Sequence, residues 1–235
     1  MSGEIHVLKI SFQFGAAEDA IYPVVLRDEH SCVLVDCGYM GFLPLIEEAM
    51  VHEGIAPQSL TKVLITHHDH DHMGALKDLK DKYPHVQIMA GRLEAHYISG
   101  KRKSLRLAQA EALQPLLPPE QQEGGRQFIG LLEGLKSVPV DITLEDGQLL
   151  DVCGGCRVVE TPGHTPGHIS LYLPAHSVLI AGDAMIIEDG RPALANPQFT
   201  LDMEAAQLSM KKLLDMGAAS CICYHSGVYR AADIL

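Results

Sequence analysis

The chain opens on short runs dense in apolar and β-branched residues, "IHVLKISF", "IYPVVLRD" and "SCVLVDCG". Runs of this length, bounded by polar and turn residues, predict strands. The spacing then changes. Apolar residues at Leu45, Ile46, Ala49 and Met50, with Pro44 in the first turn and Gly54 after the last, predict a helix. "KVLIT" (62–66) predicts a strand, "GALKDLKDKY" a helix and "VQIMAG" another strand. Residues 92–136 break this rhythm. They are polar, rich in Leu, Gln and Glu, and interrupted by "PLLPPE", so they read as helices and loops inserted between two strand-bearing halves. The β pattern returns at Asp141 with "DITLEDG", "QLLDVC", "CRVVETPG", "HISLYLP" and "SVLIAGD". A last helix starts near Asp202, its N-cap, with Met203, Ala206, Met210, Leu213 and Leu214 on one face and Gly217 after it. "SCICYH" reads as the final strand. Strands followed by helices in each half predict two packed sheets with helices outside.

Composition narrows the class. The chain has 235 residues, 47% of them hydrophobic and 20% charged, which suits a globular enzyme with a sizeable core. A net charge of −12 argues against a nucleic-acid backbone as partner, because affinity there comes from Lys and Arg. The one basic run, "GKRKSLR" (100–106), reads as a solvated helix face. The first residues carry Glu4 and no long apolar run, and no stretch is long enough to span a bilayer, so no export signal, no membrane partner and a cytoplasmic location are expected. The six cysteines are then expected as free thiols, with "CGGC" (153–156) a hairpin turn rather than a redox motif.

The chemistry concentrates in "LITHHDHDHMGAL" (64–76). Four histidines and two aspartates fill positions 67–72 at the end of a strand. Imidazole nitrogens and carboxylate oxygens are the ligands of Zn²⁺, Fe²⁺ and Mn²⁺. Alternate residues of an extended loop point the same way, so His67, Asp69 and Asp71 can converge, and His72 can serve a second ion close by. Three more candidates sit at strand ends: His164 in "ETPGHTPGH", Asp183 in "LIAGDAM" and His225 in "CICYHSG".

This set resembles the metallo-β-lactamase superfamily over essentially the whole chain. The family motif, His-x-His-x-Asp-His followed by a Gly-His turn, an Asp after a strand and a late His, falls on His67, Asp71, His72, His164, Asp183 and His225. The resemblance implies an αββα sandwich of two mixed β-sheets flanked by helices, an α/β fold spanning 1–235 with the 92–136 insert, and a dinuclear metal site at one sheet edge. One position departs: the second motif histidine is replaced by Asp69. Flavodiiron members of the family also carry a carboxylate there. By that analogy His67, Asp69 and His164 form one site, Asp71, His72 and His225 the other, and Asp183 bridges them. His68 and His70 are left outside the ligand set or facing solvent. Asp36 in "LVDCG" and His168 in "TPGHIS" match family positions beside the metals rather than on them. Tyr39, Tyr97 and Tyr224 are open candidates for substrate contact.

The resemblance implies hydrolysis of an ester, thioester or lactone of a small molecule by a metal-bridging hydroxide, with Asp71 and Asp183 as ligands and proton acceptors. Two divalent ions are implied, Zn²⁺ first, with Fe or Mn competitive because Asp69 adds a hard, charged donor. A diiron oxidoreductase without its flavodoxin domain, or a metal-binding module without catalysis, are the alternative readings.

Overall fold

A computed structural model describes residues 3–15 and 17–230. In chain order the first half contains β1 (Glu4–Val7), β2 (Ile10–Phe14), β3 (Ala17–Ile21), β4 (Val24–Arg27), β5 (Cys32–Val35), α1 (Leu43–His52), β6 (Lys62–Ile65), α2 (His70–Met73), α3 (Leu76–Lys82) and β7 (Gln87–Gly91). The insert supplies α4 (Glu94–Ile98), α5 (Leu105–Leu113) and α6 (Gln122–Gly134). The second half contains β8 (Ile142–Leu144), β9 (Leu149–Leu150), β10 (Cys156–Glu160), β11 (Ile169–Leu173), β12 (Val178–Gly182), β13 (Ile186–Glu188), β14 (Arg191–Ala193), α7 (Met203–Leu214), β15 (Ser220–Cys223) and β16 (Gly227–Arg230).

Two six-stranded mixed sheets form, ordered β1-β4-β5-β6-β7-β8 and β16-β15-β12-β11-β10-β9. The alternation of side chains along a strand explains the layering. In the first sheet Val24, Leu26, Val33, Val35, Leu64 and Met89 face the second sheet, where Val158, Ile169, Leu171, Ile180 and Ile222 meet them. The alternate residues Val25, Leu34, Val63, Ile65, Ile88 and Ala90 face outward onto Ile46 and Met50 of α1 and Leu76 and Leu79 of α3. On the far side Leu179, Ala181, Cys221 and Cys223 pack on Leu213 of α7. The result is the expected αββα sandwich. No helix among the described residues is long and apolar enough to cross a membrane.

Several elements differ from the sequence reading. "IHVLKISF" and "IYPVVLRD" each split in two. Their outer parts join the large sheet as β1 and β4, while β2 and β3 pair with each other as a separate hairpin. "SCICYH" is not the last strand, because β16 pairs antiparallel with it. The β13–β14 hairpin has no counterpart in the sequence reading. On α7 the buried positions are Ala206, Ser209 and Leu213, and Leu214 is exposed. Asp202 does cap this helix, accepting the Ala205 N–H at 3.0 Å. The "CGGC" segment forms the turn joining β9 to β10, and its cysteines are buried free thiols.

One close approach fixes the His/Asp loop to the rest of the fold. Gly74 follows α2, and its N–H donates to the Gly38 carbonyl at 2.8 Å. A Cβ placed there would lie 2.3 Å from the Met40 nitrogen and 2.4 Å from the His70 oxygen, both backbone atoms that cannot step aside. Gly74→Ala is therefore expected to cost about 3 kcal/mol of folding stability, measured by urea unfolding. A loss below about 0.5 kcal/mol would show that this contact does not hold the loop.

Candidate metal centre

Strands β5, β6, β10, β12 and β15 all deliver their C-terminal ends to one edge of the sandwich. Asp36 follows β5, residues 66–69 follow β6, the 161–168 turn follows β10, Asp183 follows β12 and His225 lies two residues past β15. Parallel pairing of β5 with β6 and of β12 with β15 puts these ends side by side. The seven residues singled out as ligands are brought together here. His67, Asp69 and His164 form one compact group, Asp71, His72 and His225 a second, and His67, His72 and Asp183 a third that joins the two. Within the first, Asp69 Oδ2 lies 3.1 Å from His164 Nε2 and 3.6 Å from His67 Nε2. Within the second, Asp71 Oδ2 lies 3.3 Å from His225 Nε2 and 4.0 Å from His72 Nε2. Asp183 stands between them. Its Oδ2 is 3.5 Å from His164 Nε2 and 3.4 Å from His225 Nε2, and its Oδ1 is 3.3 Å from His72 Nε2.

The donor set fits divalent cations. His67 Nε2, His72 Nε2, Asp69 Oδ1 and Asp183 Oδ1 are buried with no hydrogen-bond partner in the protein. Each such group costs about 1–3 kcal/mol when left unsatisfied, so a cluster of four at one spot calls for a ligand that accepts lone pairs. The neighbours also turn the right atoms inward. Asp36 accepts the Thr66 N–H and Thr66 hydroxyl, each at 2.8 Å, and the His72 Nδ1–H at 2.9 Å. With its hydroxyl proton committed to Asp36, Thr66 Oγ1 accepts from His67 Nδ1 at 3.1 Å. Both imidazoles are thereby fixed with a bare Nε2 toward the cluster, the arrangement that metal-binding histidines use. Asp36 reaches this position from a left-handed backbone, φ +60°, at the end of β5.

His168 has a comparable supporting part. Its Nε2 accepts the Asp183 N–H at 3.0 Å, and its Nδ1–H donates to Thr161 Oγ1 at 2.8 Å. Thr161 in turn reaches Ser170 at 2.9 Å, and the Ser170 hydroxyl donates to the Ala181 carbonyl at 2.9 Å. Burial holds His168 well below the usual imidazole range, with the neighbouring His67 and His164 acting the same way, so it stays neutral and keeps this direction of bonding.

Electrostatics divide the cluster. Burial lowers His67, with His72 adding to the effect. Burial also pulls His72 and His225 down, but the surrounding carboxylates outweigh it. Asp183, Asp36 and Asp71 raise His72 well above its usual range, and Asp183 and Asp71 push His225 up to about 10. Asp69 and Asp183 are held well below the carboxylate range despite their burial, Asp69 by His164, His67 and Arg106, and Asp183 by His225 and His72.

Other sequence candidates land elsewhere. His68 is neither a ligand nor solvent-facing. It is buried, its Nδ1 pairs with the buried Glu94 carboxylate, its Nε2 accepts the Leu105 N–H at 3.2 Å, and its ring stacks on Tyr97 at 4.4 Å. His70 sits at the rim, edge-on to Tyr39 and Phe128 at 5.5 Å each. The Tyr224 hydroxyl is taken up by the backbone, donating to the Asp71 carbonyl at 2.7 Å and accepting the Gly38 N–H at 3.0 Å. Sequence reasoning missed Thr66, Glu94, Thr161 and Arg106. Glu94, fully buried, joins the two motif loops by accepting from His68 N, Thr165 Oγ1 and Gly167 N. The expectation for "GKRKSLR" is corrected at its last residue. Lys101, Arg102 and Lys103 are exposed in the loop before α5, but Arg106 is buried and paired with Asp69 at 2.6 Å. The only hint in the sequence was its place between Leu105 and Leu107.

Comparison with known proteins agrees with this architecture. Residues 17–221 match the family model of the metallo-beta-lactamase superfamily. A probable metallo-hydrolase of Bacillus subtilis (strain 168) is 30% identical over 224 residues, covering 87% of this chain and 79% of that protein. The hydroxyacylglutathione hydrolase of Salmonella paratyphi A is 25% identical over 171 residues, covering 72% of this chain, which spans only 49% of that enzyme. Among solved structures, a metallo-beta-lactamase family protein from Thermus thermophilus superposes with a TM-score of 0.71 at 24% identity, over 98% of this chain and 77% of that one.

Asp36→Asn tests the orienting role. Asn tolerates the left-handed backbone, so the turn should persist, while the charge that fixes the His72 tautomer is lost. Cation affinity is expected to fall by about 10- to 100-fold, read by competition with a fluorescent chelator. Unchanged affinity would remove Asp36 from the centre's support.

Proposed function

The chain belongs to the metallo-beta-lactamase superfamily, and from that premise we propose that it hydrolyses an ester, thioester or lactone with two divalent ions held at this edge. The observation that carries the reading is Asp183, whose two oxygens reach imidazoles of both groups. His67, His164 and Asp69 would hold one ion, His72, His225 and Asp71 the other, and Asp183 both. Two nitrogens and a carboxylate on each side suit Zn²⁺ best, with Fe²⁺ and Mn²⁺ also accommodated. Bound ions of this kind lower the pKa of water toward neutrality and polarise a carbonyl.

The chain's own groups do the rest. Asp71 is the most open carboxylate of the cluster, with 15% of its side chain exposed against 7% for Asp183 and 6% for Asp69. Burial works against its charge, but His72, His225 and His70 hold its carboxyl well below the usual range, so it stays ionised and is placed to accept a hydrogen bond from the attacking water. Asp183 stays fixed through the His168 bond to its N–H. No thiol competes as nucleophile, because all six cysteines are buried. Tyr39 and Phe128 lie beside His70, and the exposed Phe199 lies beside Arg106. They favour a substrate with an apolar acyl group. The rival reading, diiron redox chemistry, draws its support from the carboxylate that Asp69 supplies at this position, and Arg106 offsets the negative charge that this carboxylate adds.

Two outcomes test the reading. Asp183→Ala is expected to lose at least one ion per chain and nearly all activity on a panel of esters, thioesters and lactones, with metal content measured by plasma mass spectrometry. Full turnover with two ions retained would take Asp183 out of the mechanism. Phe128→Ala should raise KM for long-acyl substrates by about tenfold, on the scale of burying one apolar side chain, with metal content unchanged. Equal kinetics for short and long acyl groups in both proteins would place the acyl group elsewhere.

A further inference from the structure

Arg106 has no free surface. It is 2% exposed, and its guanidinium is committed inside the protein. Nε and Nη2 donate to Asp69 Oδ2 at 3.2 and 2.6 Å. Nη2 also donates to the Phe199 carbonyl and Nη1 to Gln109 Oε1, each at 2.6 Å. The Phe199 ring lies 5.3 Å from Cζ. Of these partners only Asp69 carries charge. Asp69 is equally committed. Its Oδ2 faces Arg106 and His164, while Oδ1 is buried without a hydrogen-bond partner.

We propose that Arg106 is a positioning residue that makes Asp69 act as a neutral ligand, occupying one carboxylate oxygen and cancelling the charge that replacing a histidine by an aspartate brings. The inference rests on the reading above, in which His67, Asp69 and His164 hold one cation. Two neutral imidazoles with a lone carboxylate would give that group one negative charge. With the guanidinium bonded to the same carboxylate the group is neutral, as three imidazoles would be. The oxygen is retained as a donor, but its pull on a cation is moderated by a fixed positive charge in a poorly screened interior.

The pair also explains why the insert docks where it does. Leu105 N–H donates to His68 Nε2 and Arg106 binds Asp69, so consecutive residues at the start of α5 grip consecutive residues of the metal loop. The helix start has its own cap, Ser104 Oγ accepting the Leu107 N–H at 3.3 Å. The Leu105 bond and this cap do not involve the Arg106 side chain.

Two effects oppose each other in Arg106→Met, which keeps the apolar stem and removes the charge. Asp69 loses a partner that orients it, which costs about 10- to 100-fold in affinity at a typical site. A cation next to Asp69 also loses a buried positive neighbour, and at short range in the interior this term is the larger. The experiment uses the full chain stripped of metal, titrated with Zn²⁺ and with Mn²⁺ against a chelator, with thermal melting in parallel. The relevant binding step is the one that Asp69→Ala weakens. At that step Arg106→Met should bind at least about tenfold tighter, while melting lower in the absence of cation. The double variant Arg106→Met/Asp69→His, neutral on both sides, should recover wild-type affinity to within about threefold and the wild-type melting temperature. Weaker or unchanged binding in Arg106→Met overturns the proposal while leaving the metal assignment standing. If Arg106→Met does not fold, the double variant decides. Folding with near wild-type affinity supports the proposal, and failure to fold overturns it, because Arg106 would then be required independently of Asp69. If no cation step responds to Asp69→Ala, the ligand assignment falls and this proposal with it.

Discussion

Charge concentrated at one sheet edge is the constraint to which the rest of the structure answers. Asp36, Asp69, Asp71 and Asp183 converge there, three of them buried and Asp71 nearly so, against a single buried guanidinium from Arg106. With neutral imidazoles the cluster carries three uncompensated negative charges. Burying even one unpaired ion costs several kcal/mol, and no other lysine or arginine pairs with these carboxylates among the described residues. The same surplus of negative charge shifts His72 and His225 upward. Two divalent cations held at this edge would relieve the imbalance and at the same time satisfy the bare imidazole nitrogens. The electrostatics and the unsatisfied atoms thus point to the same occupant.

The sandwich sustains this concentration by rigidity. Strand ends fix the backbone of His67, Asp69, His164, Asp183 and His225, the short helix α2 that follows β6 carries Asp71 and His72, and the inter-sheet layer from Val24 to Ile222 lies directly behind them. The side chains are then locked from outside the cluster, His67 and His72 through Thr66 and Asp36, Asp183 through His168 and Thr161. Glu94 ties the loop after β6 to the turn after β10. The insert is part of this support as well as a rim. Its first two helices contribute Glu94 and Arg106, and its third brings Phe128 to His70.

Much of this was legible in the chain because it rests on local pattern. Short unbroken apolar runs in "VVLR", "CVLV" and "KVLI" mark strands buried on both faces, and Asp202 and Gly217 bracket the last helix as their chemistry demands. A run such as "HHDHDH" has few uses other than metal ligation, and its turn partners at His164, Asp183 and His225 lie at strand ends that the pattern also marks. What escaped depends on distance in the sequence. Nothing near Arg106 announces that Asp69, 37 residues earlier, will neutralise it. A basic run is ordinarily solvated, and only tertiary pairing buries its last member. His68 escaped likewise, since a histidine out of phase with the ligands has no local reason to be buried until Glu94 is brought against it. The split of β1 from β2 depends on which sheet each segment joins, a choice that composition does not encode.

The central claim is that two cations flank Asp183. Anomalous diffraction from crystals of the metal-loaded protein, collected on both sides of the absorption edge of the bound metal, locates them directly. The account predicts two anomalous peaks per chain, one contacted by His67, Asp69 and His164 and the other by Asp71, His72 and His225, with Asp183 touching both. A single peak, or a second one that excludes Asp69 and His164, would contradict it.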